Sequence, residues 1–63
     1  MTIKQAREVL QIEDDEEVDI SEIVYLGKLL RAQLNNGNMH RYERYIKETK
    51  LNACKVLYTG KEN

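Results

Sequence analysis

Asn35-Asn36-Gly37-Asn38 decides the fold of this chain. It is the one strong break between two long amphipathic stretches, in a sequence that has no proline. Asparagine and glycine readily adopt the left-handed conformation that ends a helix, and an asparagine side chain can cap the next one. The four residues are therefore expected to end one helix, reverse the chain and start another from Asn38.

Upstream of the break, Asp19-Ile20-Ser21-Glu22 reads as a helix start, with an acid at the N-cap, Glu three residues on, and Val18 placed as a hydrophobic staple. The second helix is expected over about 19–34. Its main apolar stripe is Ile20, Ile23, Val24, Gly27, Leu30 and Leu34, with Leu26 beside it. Tyr25, Leu29 and Ala32 form a second stripe, largely on the opposite side. A helix apolar on two faces is usually sandwiched, so the second helix is expected at the centre, between the third and the first. Gly27 costs about 1 kcal/mol relative to Ala in a helix interior and reads as a close-packing point.

Downstream, the third helix is expected over about 39–58, with Met39, Tyr42, Tyr45, Ile46, Thr49, Ala53, Val56 and Leu57 on one face. Glu43–Lys47 and Arg44–Glu48 are i,i+4 pairs. Gly60 should stop the helix, and Lys61-Glu62-Asn63 should fray. At the other end, Thr2 and Gln5 have the spacing of a capping box ahead of Ile3, Ala6, Val9 and Leu10, which places the first helix at about 2–11. Glu13-Asp14-Asp15-Glu16-Glu17 follows. Adjacent carboxylates repel, which favours a solvated linker over a partner-facing patch, and the run lacks the alternating ligands and glycine of a calcium loop. The expected fold is all-α: one domain over residues 1–63, with the second and third helices as an antiparallel hairpin and the first packed across it.

The net charge of −1 conceals an asymmetry: residues 1–31 are net −4 and residues 32–63 net +3. The two parts should attract, although exposed ion pairs contribute only about 0–1 kcal/mol each. The single cysteine, Cys54, cannot form an intrachain disulfide and suits a reducing compartment. The start does not read as a secretory leader, and no apolar run approaches the roughly 20 residues that span a bilayer. A cytoplasmic location is the expectation.

No catalytic or metal-binding constellation is evident, and no cofactor is implied. His40 has no second ligand nearby in sequence, and Cys54 has neither an activating base nor an oxyanion site. Cys54 reads as a buried structural residue. Tyr42 and Tyr45 read as core or core edge, Tyr25 and Tyr58 as exposed anchors. Two surfaces are left over. The outer face of the third helix carries His40, Arg44, Lys47, Leu51, Lys55 and Tyr58. Tyr25 and Leu29 form the other if the first helix, which is expected to cover them, leaves them bare. The functional expectation is a small non-enzymatic protein-interaction module, as a monomer or a homodimer, binding through Tyr25, Leu29, Arg44, Lys47, Leu51, Lys55 and Tyr58. A nucleic-acid-binding regulator using Arg41, Arg44, Lys47 and Lys55 is the alternative. The pI of 5.8 weighs against it, since nucleic-acid binding normally needs a stronger positive field.

The order short helix, long helix, loop, long helix resembles the J-domain of the DnaJ co-chaperone family. Arg7-Glu8-Val9-Leu10-Gln11-Ile12 is similar to the opening of that family's first helix. Ser21-Glu22-Ile23, with Gly27 and Leu30 following, looks like the start of its second. Asn52-Ala53-Cys54-Lys55-Val56-Leu57 resembles the Ala-Tyr-x-Val-Leu pattern ending its third. J-domains stimulate Hsp70 through a His-Pro-Asp tripeptide after the second helix, and Asn35-Asn36-Gly37 stands in that place here. The resemblance thus implies a degenerate module, a chaperone adaptor that docks without the stimulating tripeptide.

Overall fold

The computed structural model describes residues 1–61, so the expected fraying at Glu62 and Asn63 lies outside the described residues. Among the described residues there are three helices and no strands: α1 (Ile3–Val9), α2 (Ile20–Leu34) and α3 (Arg41–Thr59). The fold is all-α, with α2 and α3 as an antiparallel hairpin and α1 packed on it.

Most of the predicted helix signals operate as read. Thr2 and Gln5 form the full capping box: the Gln5 N–H donates to Thr2 Oγ1 at 3.0 Å, and the Thr2 N–H donates to Gln5 Oε1 at 2.8 Å. Asp19 caps α2 by accepting the Ser21 N–H at 3.0 Å, and Val18 packs against the cluster containing Ile23, as a staple should. Gly60 ends α3 in the left-handed region, at φ 70°.

The reversal differs from expectation. Asn35 is right-handed and Gly37 has no positive φ, so no left-handed residue ends α2. Asn36 forms an Asx turn instead, its Oδ1 accepting the Asn38 N–H at 3.0 Å. Asn38 is then committed to the turn, and His40 caps α3, with Nδ1 accepting the Tyr42 N–H at 3.1 Å. That moves the start of α3 from residue 39 to Arg41.

The first helix is shorter than expected. It ends in a Schellman motif with a left-handed Gln11, at φ 59°. The Ile12 N–H donates to the Arg7 carbonyl at 2.8 Å and the Gln11 N–H to the Glu8 carbonyl at 3.1 Å. The acidic run is a solvated linker, as expected, but an ordered one. Residues 13–16 make a turn closed by the Glu16 N–H on the Glu13 carbonyl at 3.1 Å, and the Arg7 guanidinium donates to the carbonyls of Glu13 and Glu16. Its acids are nonetheless exposed.

The centre of the fold is α3, not α2. Both other helices pack on α3, and α1 makes no helix–helix contact with α2. Ala6 of α1 meets Ala53 and Val56 of α3. Ile23 and Leu30 of α2 meet Cys54, and the partly buried Leu10 and Leu57 belong to both clusters. Because α1 has seven residues, it covers about 10 Å of a helix that is about 28 Å long. Tyr42 and Tyr45 lie beyond its reach and are 69% and 67% exposed, so they are not core.

A non-glycine residue in the left-handed region costs on the order of 1–2 kcal/mol. Gln11→Gly relieves that strain while adding unfolded-state freedom, so a net gain of about 0.5–1 kcal/mol is expected. Urea denaturation would measure it, and a loss of stability would show that Gln11 contributes more through its side chain than its backbone costs.

Candidate functional site

The leftover surface with the most apolar floor is a cleft of about 280 Å³ between α2 and α3. Its floor is apolar: Ile23, Val24 and Gly27 from α2 meet Leu51 and Cys54 from α3. Lys28 and Arg31 stand along the α2 wall, with Lys55 and Tyr58 along the α3 wall. No acidic residue lines it. Lys28, Arg31 and Lys55 are exposed and have no ion pair or side-chain hydrogen bond among the described residues.

Helix periodicity places these residues together. Val24, Lys28 and Arg31 recur at i, i+4 and i+7 on one flank of α2; Leu51, Lys55 and Tyr58 do the same on α3. The α3 set belongs to the outer stripe predicted from sequence. Leu51, however, is half-buried against the Ile23–Leu30–Cys54 cluster and is not simply an outer-face residue. Lys28 and Arg31 are not among the site residues expected from sequence, and Val24 reads there only as part of α2's main apolar stripe, because a helix flank becomes a cleft wall only when α3 stands opposite it.

Other predicted residues fall elsewhere. Arg44 braces the reversal, donating to the Asn36 carbonyl at 3.1 Å, and lies 4.0 Å from Glu48. Lys47 pairs with Glu43 at 3.4 Å. Neither lines the cleft. Tyr25, at 70% exposure, and Leu29, at 43%, belong to neither of the clusters packed on α3. The expectation that α1 covers them fails, because α1 lies against α3.

Gly27 is not a close-packing point. A Cβ there would meet only Cys54 Cβ and Leu51 Cδ1, each at 3.9 Å, which is ordinary contact. The missing side chain instead leaves the cleft floor low. Cys54 is buried, and burial raises its thiol pKa above the ordinary value. A protonated, enclosed sulfur is a poor nucleophile. Among the described residues no group of three His, Cys, Asp or Glu could hold a metal ion, and no helix is long and apolar enough to cross a membrane.

Comparison with family models, curated proteins and solved structures returns no match to the chain.

Gly27→Ala should leave the fold intact and stabilise it by about 0.5–1 kcal/mol, since alanine is the better helix former and the space accepts a methyl. Thermal unfolding checks the sign; a destabilised protein would mean the two helices touch more closely here. The Cys54 thiol favours its neutral form when folded, so its contribution is fully present at neutral pH. That contribution is lost as the pH climbs past the ordinary thiol value of 9.0 and on through the raised folded one. Cys54→Ser should flatten that alkaline decline in a pH series of denaturation curves.

Proposed function

We propose that this chain is a small, non-enzymatic protein-interaction module of the cytoplasm that receives its partner in the cleft between α2 and α3. The observation supporting this reading is the composition of the cleft, an apolar floor beneath three unpaired cations with no acid among its lining residues. Core size adds to it. The buried side chains among the described residues are Ala6, Ile23, Leu30, Ala53, Cys54 and Val56. Half of these are alanine or cysteine, which is little apolar burial even for a domain near the lower size limit. Covering the cleft would extend that core. Of the four cations named for nucleic-acid binding, Arg44 and Lys47 already have carboxylate partners within α3, which weighs against that alternative.

Affinity capture from the source cell tests the reading with three baits: the wild type, Lys28→Glu/Lys55→Glu, and Tyr42→Ser/Tyr45→Ser as a surface control. The same proteins should be retained by the wild type and the control and lost from the charge-reversed bait. Indistinguishable recovery from all three would sink the assignment. Recovery of an Hsp70 by a cleft-independent route would favour the J-like adaptor instead.

Homodimerisation through Tyr25 and Leu29 is a second reading, favoured by their exposure one helical turn apart on a face that α1 leaves bare. Sedimentation should then detect a dimer that Leu29→Glu dissociates; a monomer at high micromolar concentration removes this reading.

A further inference from the structure

We infer that the occupant of the α2/α3 cleft is one amphipathic helix of another protein, with carboxylates on both sides of its apolar ridge. This rests on the docking role proposed above and specifies the partner's chemistry.

The first argument is the nature of the walls. Both are helices whose backbone groups are hydrogen-bonded internally, so neither offers a sheet edge to an incoming strand. An extended peptide laid here would leave its own N–H and C=O groups without protein partners, whereas a helix satisfies them itself. The second is the floor. The cleft that holds it runs from Ile23 to Arg31, about 12 Å or two helical turns, and the floor is low at Gly27 because no side chain rises there. Apolar side chains at i, i+3 or i+4, and i+7 match that length.

The third is charge. Lys28 and Arg31 rise on one wall and Lys55 on the other, so a helix lying between them meets cations on both flanks. A basic or neutral helix would leave those cations unpaired as they lose water, which is unfavourable; an acidic one pairs them. The chain's own acids do not answer them. Residues 13–16 are tied to α1 through Arg7, and no residue of that run lines the cleft. The opposite flank of α3 is already occupied by α1, at Ala53 and Val56. An incoming helix would repeat that arrangement on the open side.

Amide spectra of the nitrogen-labelled full chain test this against three probes: a stapled helix of about four turns with leucine along one face and glutamate on both sides, its lysine-for-glutamate counterpart, and a short DNA duplex. The glutamate helix should give saturable shifts at Gly27, Lys28, Arg31, Leu51, Lys55 and Tyr58, weakening as salt is raised. Lys28→Glu/Lys55→Glu, both at exposed positions, should weaken it at least about ten-fold. Gly27→Leu, with its folding checked by circular dichroism, should abolish it by filling the floor. Equal binding of the lysine helix, shifts confined to other surfaces, or cleft shifts with DNA but not with the glutamate helix would overturn the inference. So would cleft shifts on concentrating the free protein, which would assign the cleft to a second copy. If it is overturned while cellular capture still depends on Lys28 and Lys55, the docking role stands and its occupant belongs to another class.

Discussion

The structure depends on one short length of α3, Ala53 to Leu57, against which both other helices must close. Ala53 and Cys54 are small, and that lets two helices approach the same two turns from different sides. Ala53 and Val56 receive α1 while Cys54 receives α2, and Leu57 is shared. Interiors are packed to crystal-like density, so volume at these positions sets how near the helices come. Everything farther along α3 is supported from fewer directions. Toward its N-terminus only α2 and the Asn36 carbonyl, held by Arg44, keep the hairpin in register.

That concentration of the core at one end explains the exposed surfaces. A seven-residue α1 cannot follow α3 back to Tyr42 and Tyr45, so two aromatic residues at core spacing face water. On the other flank nothing covers the seam between α2 and α3, and the cleft results. The tyrosines and the cleft share a cause, which is that α3 presents more apolar perimeter than two neighbours can cover.

Charge follows the same logic. The acidic and basic parts of the chain form no ion pair across α2 and α3 among the described residues; both pairs present lie within α3. Arg7, the cation nearest the acidic turn in sequence, is bound to backbone carbonyls. An exposed pair gains little in water, so nothing compels the fold to use its asymmetry internally. The asymmetry is left facing outward.

Helix number, order and most ends were determined by the sequence itself, because capping, periodicity and termination are local. Thr2 with Gln5, Asp19 with Val18, and Gly60 act through atoms a few residues away, so their spacing is sufficient to read them. Competition among neighbours was harder to read. Asn36 captured Asn38 and left the cap to His40, and Gln11 took a conformation that composition assigns to glycine. Only the tertiary structure decided which helix lies at the centre, which tyrosines are bare, and that Val24, Lys28 and Arg31 face Lys55 and Tyr58 across a floor opened by Gly27. Periodicity states that a face is apolar. What lies against that face depends on the length and placement of other helices, which no local pattern encodes.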